Sequence, residues 1–315
     1  MALRYGNNYR IGIQLDSAVF NVAPSALTTG WTYFADKFEI GNEAPEQIDL
    51  KLKDNYIVKK DSGIIAGLKK PTITISGNLT YEHSILFLAM GLTLSESDYT
   101  IADSNAVTSY TLIQQFAEKE VNIATGCVLE KLSISGDSGG AIQYVATFRA
   151  GTIDRENTTT YEAFTTSPEN VPFLFQEIDT PNLIDTSITN MHSFSLELNR
   201  IFIDDKFLFQ QSTVWTQALQ CEIEGTFSAN YIYDSANDAK VFDSLIGTAI
   251  VEDIIKLQHT DDTYAYEITT QGKLTEYSLP DPERCIFEGG FTKKIMYDGT
   301  TAPLTITKTE PAPPA

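Results

Sequence analysis

Hydrophobic and polar residues alternate along much of this chain, which is the pattern of strands with one buried face. Residues 72–81 and 192–199 follow this period of two. Two hairpins are also predicted, from residues 112–116 with 121–123 and from residues 255–258 with 264–268. Each pair of runs flanks a short charged turn, as a hairpin requires. The chain is therefore predicted to be mostly β-strand.

Two short helices interrupt the predicted strands. Residues 84–90 are apolar on all sides, and this predicts a helix that is buried. The second helix is predicted to start near Ser235, whose side chain can cap it. Ala239, Phe242 and Ile246 would then share one face of that helix.

The same pattern occurs twice along the sequence. Residues 75–80, Ile-Ser-Gly-Asn-Leu-Thr, are answered by residues 223–228, Ile-Glu-Gly-Thr-Phe-Ser, and each stretch leads into one of the predicted helices. Leu132 similarly corresponds to Tyr277. A repeat this long predicts two similar domains rather than a solenoid of short units.

The predicted fold class is mainly β, with two tandem β-sandwich or barrel domains that each carry one short α-helix. The predicted divisions are an N-terminal arm at 1–30, a first domain at 31–153, a linker at 154–172, a second domain at 173–307 and a Pro-rich tail at 308–315.

The net charge of −20 excludes a general nucleic-acid binder, which needs a basic surface to replace condensed counterions. It equally disfavours contact with a membrane of anionic lipid. The first residues lack the apolar core of a secretory signal, and no apolar run reaches membrane-spanning length. Cys127, Cys221 and Cys285 are far apart, and free thiols in a protein made in a reducing cytosol are expected.

Residues 136–140 read Gly-Asp-Ser-Gly-Gly, the pentapeptide around the nucleophile of chymotrypsin-like proteases. That chemistry needs a histidine base before the serine, and only His83 precedes Ser138. Alternating runs flank the pentapeptide, so a hairpin turn is the preferred interpretation.

The other candidate sites have weaker support from the sequence. His83, His192 and His259 are isolated, so no histidine metal site is predicted. Asp204 with Asp205, and other acidic pairs, fit solvated turns better than calcium ligands. The sequence predicts no enzyme, no cofactor and no metal.

A cluster of basic residues stands out in an acidic chain. Six of the 22 lysines and arginines lie close together: Lys51, Lys53, Lys59, Lys60, Lys69 and Lys70. They fit a soluble hairpin whose edge lysines discourage aggregation. They also fit a cationic arm that reaches an acidic surface on a neighbouring copy and serves in assembly between rings.

Two stretches resemble a known family. Residues 76–92, SGNLTYEHSILFLAMGL, and residues 125–151, TGCVLEKLSISGDSGGAIQYVATFRAG, look like the tail tube (major tail) protein of long-tailed bacteriophages. Gly126, the strand at 132–135 and the strand at 145–151 carry the resemblance. It extends over residues 35–150 and more loosely over residues 190–296.

The resemblance implies a structural virion protein. Members of that family form hexameric rings of single-domain subunits that stack into a hollow tube, so a tandem chain implies trimers with pseudo-sixfold symmetry. The implied partners are other copies of the chain, the tape-measure, baseplate and tail-terminator proteins, and DNA that passes without specific binding. The implied location is the virion tail, assembled in the host cytoplasm. An acidic wall suits such a conduit because it repels phosphates.

Two alternatives stay open. The chain could form another ring of the virion, such as a baseplate ring or a tail terminator. It could instead be a two-domain glycan-binding or adhesion module, with Tyr231, Tyr233 and Tyr264 lining a sugar site.

Overall fold

The protein is mainly antiparallel β-sheet, as predicted, and its described residues include two short α-helices. A computed structural model describes residues 9–16, 32–34, 37–41, 47–49, 64–66, 71–101, 107–116, 120–156, 171–187, 190–202, 220–232, 235–247, 250–259, 264–278 and 288–310. The described residues up to 156 are called the first half, and those from 171 onwards the second half.

The first half contains twelve strands and one α-helix. The elements are β1 (Tyr9–Leu15), β2 (Thr32–Phe34), β3 (Lys37–Gly41), β4 (Gln47–Asp49), β5 (Ile64–Ala66), β6 (Thr72–Asn78), a 3-10 turn (Tyr81–Ser84), α1 (Ile85–Ala89), β7 (Leu92–Ser95), β8 (Asp98–Ile101), β9 (Tyr110–Phe116), β10 (Glu120–Asp137), β11 (Gln143–Arg149) and β12 (Thr152–Glu156).

The second half contains eight strands and one α-helix. The elements are a 3-10 turn (Phe175–Glu177), β13 (Ile178–Leu183), β14 (Thr186–Ser187), β15 (Met191–Phe202), β16 (Gln220–Ile232), α2 (Ser235–Gly247), β17 (Val251–Gln258), β18 (Ala265–Ser278), β19 (Glu288–Ile295) and β20 (Leu304–Thr309).

The order of strand pairing is repeated in the two halves. The first-half pairs are β1–β2, β1–β9, β9–β10, β10–β12, β10–β11, β11–β6 and β6–β3. The second-half pairs, in the same order, are β13–β14, β13–β17, β17–β18, β18–β20, β18–β19, β19–β16 and β16–β15. Each half also places its helix between the equivalent strands, β6 and β9 or β16 and β17.

An irregularity in the ladders fixes which residues correspond. The β10–β11 register shifts between Leu129 and Lys131, and the β18–β19 register shifts between Leu274 and Glu276. Aligned on these shifts, the row Ser133–Val145–Ser76–Lys37 corresponds to the row Ser278–Gly290–Asn230–Ser193.

This alignment keeps the predicted match of Leu132 with Tyr277 but shifts the match of β6 with β16. Ser76 corresponds to Asn230, whereas the sequence pattern pairs it with Glu224. The two matches differ by an even number of residues. An even shift leaves inward and outward positions unchanged, so alternation alone does not detect it.

The domain boundaries stay predictions, but three strands lie wholly or partly where none was assigned. β1 falls in the predicted N-terminal arm and pairs along its full length with β9. β12 runs to Glu156, inside the predicted linker, and pairs with the start of β10. These pairings draw both segments into the sheet of the first half. β20 runs to Thr309, two residues into the predicted tail, and pairs there with the start of β18.

Both predicted hairpins are present, as β9–β10 and β17–β18. The first helix is buried as expected, because Leu86, Phe87 and Ala89 all lie in the core. The second helix is also present, but the face that carries Ala239, Phe242 and Ile246 is exposed. Within the described segments, no helix has the length and apolar character needed to span a membrane.

Candidate assembly interface

The two halves join edge to edge through their strands. The end of β10 pairs antiparallel with β15, from Lys131 opposite Asn199 to Asp137 opposite Ser193. This pairing is called the junction. It unites four strands of each half into one eight-stranded sheet, in the order β3-β6-β11-β10-β15-β16-β19-β18.

A glycine allows close packing at the junction. Gly136 on β10 lies opposite Phe194 on β15. A Cβ atom at Gly136 would lie 2.5 Å from the Ile142 side chain and 3.0 Å from the Phe194 ring, so no larger residue fits without displacement. The junction is therefore packed to full contact on its buried side.

Arg200 ties the second half to α1. Its side chain is buried, and its Nη1 donates a hydrogen bond to the Ala89 carbonyl at 2.9 Å. The guanidinium also lies over Gly91, whose φ of +90° suits glycine. A cation at this end of a helix satisfies carbonyl groups that have no partner inside the helix. Burial lowers the pKa of Arg200 to about 10, so the group stays charged at neutral pH.

Aromatic side chains provide the third connection between the halves. The Tyr266 hydroxyl on β18 donates a hydrogen bond to the Tyr81 carbonyl, and the two rings stack at 5.4 Å between centroids. The Tyr266 ring also meets the edge of Phe87 in α1, at 5.3 Å. Close by, β8 of the first half adds to β20 of the second. α1 is thus enclosed by both halves.

The two ends of the eight-stranded sheet are unpaired edges among the described strands. β3 pairs on one side only, with β6. The last residues of β18, from Lys273 to Ser278, pair on one side only, with β19. By the repeated order, β3 is the equivalent of β15 and β18 is the equivalent of β10. The two unpaired edges are therefore the equivalents of the two strands that form the junction.

The open face of the eight-stranded sheet is rich in small polar side chains. The outward hydroxyl-bearing residues include Thr72, Thr74, Ser76, Ser133, Ser135, Thr147, Ser193, Ser195, Thr226, Ser228 and Thr292. Several charges on this face form cross-strand ion pairs, such as Lys131 with Glu197 at 3.1 Å and Lys294 with Glu224 at 3.2 Å. Because the two charges of each pair neutralise each other, these pairs add no net charge to the face.

The first half buries a single carboxylate behind β9. The carboxylate of Asp16 accepts hydrogen bonds from the Ser109 hydroxyl at 2.7 Å, the Thr111 hydroxyl at 2.5 Å and the Gly126 amide at 3.1 Å. Three donors satisfy the buried charge, as a stable interior requires. These contacts hold β1, β9 and β10 together.

The second half buries an ion pair instead. Lys293 Nζ lies 2.5 Å from Asp253 Oδ2 with both side chains almost fully enclosed, and Asp253 Oδ1 accepts the Ile184 amide at 2.6 Å. Lys293 also donates to the carbonyls of Val251 and Thr270. Burial raises the pKa of Asp253 and lowers the pKa of Lys293, while the attraction between the two opposes both shifts.

All six predicted assembly lysines, Lys51, Lys53, Lys59, Lys60, Lys69 and Lys70, lie outside the described residues. The strands β4 and β5 nevertheless show where in the chain the first four lysines fall. β4 and β5 pair with Gln47 opposite Ala66, in the register set by Gly41 opposite Thr72 in β3 and β6. The first four lysines therefore fall, in sequence, between the two strands of a hairpin that prolongs the β3–β6 edge.

Ser138 lies in the turn between β10 and β11, which confirms the turn interpretation. The structure brings His192 to it, with Nε2 3.5 Å from the serine Oγ, a contact that the sequence argument did not find. Glu288 lies 4.0 Å from the same Nε2. A catalytic relay needs the carboxylate on the other ring nitrogen, so these three groups do not form one. Cys127 is a free and buried thiol.

Arg200, Asp253 and Lys293 were not identified from the sequence, although a signal existed. Each interrupts an alternating strand at a position that points inward, between buried residues such as Leu198 or Phe291. A charge at an inward position indicates a buried polar contact. Across the described residues, no three potential ligands among His, Cys, Asp and Glu come together as a metal site.

Comparison with known proteins does not identify a family for this chain: the sequence matches no protein-family model and no curated protein.

Proposed function

We propose that this chain is a structural virion protein that forms the tail tube of a bacteriophage, with three chains in each ring and rings stacked along a channel. One observation supports this most: the unpaired edges of the eight-stranded sheet are the equivalents of the strands joined at the junction. A chain that already pairs these edges internally can repeat the pairing with its neighbour. Head-to-tail repetition closes a ring when the rotation returns to its start.

The repeated order fixes the register of the proposed contact. Ser133 faces Glu197 across the junction. Ser278 is the equivalent of Ser133, and Gly41 is the equivalent of Glu197, by the row alignment of the ladders. Ser278 of one chain would then face Gly41 of the next. Three chains would place six equivalent four-stranded units around the ring.

The open face of the eight-stranded sheet would line the channel. It presents hydroxyl groups and charges that are paired with one another, such as Lys131 with Glu197. Such a surface offers no basic stripe that could replace the counterions of DNA. DNA would pass along it without specific binding, while the acidic excess of the whole chain disfavours retention elsewhere.

The cationic arm, the segment that carries Lys51, Lys53, Lys59 and Lys60, would connect successive rings. It belongs to the hairpin that prolongs β3 and β6, the strands at one end of the sheet. Basic groups on such a projection can dock on an acidic neighbouring ring, where each contact is repeated around the ring. Tape-measure, baseplate and tail-terminator proteins would meet the finished tube, in the virion tail assembled in the host cytoplasm. These partners rest on the resemblance to tail tube proteins.

Electron microscopy of the purified chain tests the proposal. The expected result is hollow filaments whose cross-sections show threefold symmetry with a sixfold-like outline. Single closed rings that never stack would favour a baseplate or terminator component. Six full chains in each ring, or a chain that stays monomeric at high concentration, would contradict the proposal.

A further inference from the structure

α2 carries an apolar face that the described residues of its own chain cover only in part. Phe242 is 48% exposed and Ile246 is 64% exposed, and Ala239 on the same side is exposed as well. The helix is held to the protein mainly by a different side, through the buried Val241 and the partly buried Leu245. One edge of the stripe also contributes, because the Phe242 ring meets the Tyr277 ring of β18 at 6.2 Å between centroids. At 3.6 residues per turn, the three exposed residues form one stripe beside the buried side.

The equivalent helix in the first half has no such exposed stripe. Leu86, Phe87 and Ala89 of α1 are at most 1% exposed, and its other two residues, Ile85 and Leu88, are partly buried. Much of that cover comes from the other half, because Arg200 on β15 and Tyr266 on β18 both reach α1. α1 is covered because the strand beside β10 belongs to the second half.

Among the described strands of one chain, none takes the same position beside the end of β18. α2 packs on β18, as α1 packs on β10. The strand that covers α1 is β15, and its equivalent is β3 at the far edge of the sheet. The residue that meets Phe87 lies near the start of β18, and the equivalent segment is the start of β10.

We infer that the exposed stripe of α2 (Ala239, Phe242 and Ile246) is an interaction surface for a second copy of this chain, which covers it with the region around β3 and the start of β10. The contact repeats between chains what Arg200 and Tyr266 do for α1 within one chain. This inference rests on the proposed ring. It adds a buried apolar contact beside the proposed pairing of β18 with β3 of the next chain. Burial of Phe242 and Ile246 also removes apolar surface from water, which favours association.

Thiol labelling separates this inference from the proposed function. The full chain is made with Ile246→Cys and, as a matched control, with Lys240→Cys, an exposed position on the other flank of α2. Maleimide labelling is followed at a dilution where the chain is monomeric and again after assembly, with the unmodified chain as background. Assembly should slow labelling of the Ile246→Cys thiol about tenfold and leave the Lys240→Cys thiol within about twofold.

A second pair of variants gives an independent result. Ile246→Asp should leave the monomer folded by circular dichroism, since the side chain is mostly exposed, and should raise the concentration needed for assembly about tenfold or more. Lys240→Asp should change that concentration little. Rings in which the Ile246→Cys thiol labels as fast as in the monomer overturn the inference and leave the proposed function standing. A chain that forms no rings overturns both.

Discussion

In the first half, the buried carboxylate of Asp16 is satisfied by hydroxyl and amide groups, whereas in the second half Asp253 is paired with the ammonium group of Lys293. The aligned ladders show that these solutions occupy the same place. Leu129 faces Phe148 just before the register shift of β10, and Leu274 faces Lys293 just before that of β18.

The matching continues on the neighbouring strand. Leu112 faces Ala124 in the first half and Ile254 faces Thr269 in the second, so Asp253 stands where Thr111 stands. The carboxylate has changed strands, and a lysine has replaced a phenylalanine. The repeated strand order therefore tolerates different buried polar groups at this place, and in each half the group is satisfied by residues of the same half.

The largest expected effect comes from breaking the ion pair. Lys293→Met leaves the Asp253 carboxylate buried without its cation, so the free energy of unfolding should fall by about 3–5 kcal/mol. The double variant Asp253→Asn with Lys293→Met keeps an acceptor for the Ile184 amide and removes both charges. It should lie within about 1 kcal/mol of the unmodified chain. Urea unfolding of the monomeric chains measures both values.

A double variant as unstable as Lys293→Met would show that the ion pair itself is needed. In that case the two halves would not be interchangeable solutions of one packing problem.

The next largest effect is expected from Asp16, the buried carboxylate of the first half. Asp16→Asn removes the charge that three buried donors share, and should cost about 1–3 kcal/mol. The matched control for Asp16→Asn is Asp185→Asn. Asp185 is the equivalent of Asp16, because Ile13 faces Leu112 and Asn182 faces Ile254 in the aligned ladders. The Asp185 carboxylate is exposed and accepts one amide at 3.2 Å. Asparagine also tolerates the φ of 54° found there, so the control should change stability by at most about 0.5 kcal/mol. Thermal and urea unfolding measure both changes in stability. Equal losses of stability at the two positions would contradict the stabilising role of the buried Asp16 carboxylate.

The unbroken apolar run at residues 84–90 predicted α1. Alternation predicted β6, β15 and both hairpins, because burial of one face imposes a period of two on a strand. Alternation did not predict which residues of β6 and β16 correspond in the repeat, since an even shift preserves the pattern. It also did not predict that α2 turns its apolar stripe outward. Residues near in sequence define the stripe, but its exposure depends on which distant parts of the fold reach it.

Arg200 shows a second limit of the sequence. Its inward position follows from the alternation of β15, but its partner, the Ala89 carbonyl, lies 111 residues away. No local pattern connects the two. The junction between β10 and β15 escaped prediction for the same reason, because pairing between distant strands depends on the whole fold.

A smaller effect is expected from the charged segments that join β4 to β5 and β15 to β16 in the sequence. The segment between β4 and β5 carries Lys51, Lys53, Lys59 and Lys60, whereas the equivalent segment between β15 and β16 carries Asp204 and Asp205. Lys59→Glu with Lys60→Glu should leave the melting transition unchanged and shorten the filaments. Each exposed pair contributes only about 0–1 kcal/mol, but a ring repeats it. Added salt should weaken stacking of the unmodified chain by screening.

Filament length and yield by electron microscopy measure this effect. Filaments of normal length and yield from the double variant would leave the lysines as part of a soluble hairpin only.

The smallest effect is expected at Ser138. Because the residue is exposed in a turn, Ser138→Ala should change stability by at most about 0.5 kcal/mol and leave assembly intact. A fluorophosphonate probe should not label the unmodified chain. Labelling that disappears in the alanine variant would establish a nucleophile, and the contact with His192 would then need a catalytic explanation.

The most direct measurement is an interchain disulfide between the two unpaired edges. The chain is made with Ser278→Cys and Gly41→Cys, together with Thr72→Ala, because a Cβ at Gly41 would lie 2.9 Å from the Thr72 hydroxyl oxygen. The intrachain control is Ser133→Cys with Glu197→Cys, the equivalent pair at the junction. Single-cysteine variants report the background from Cys127, Cys221 and Cys285.

Oxidation of the assembled protein should give covalent dimers and trimers and then stop, because three chains close each ring. The control pair should oxidise within one chain and stay monomeric in mass. Covalent products that continue to hexamers, or no interchain product while the control pair oxidises, would contradict the account.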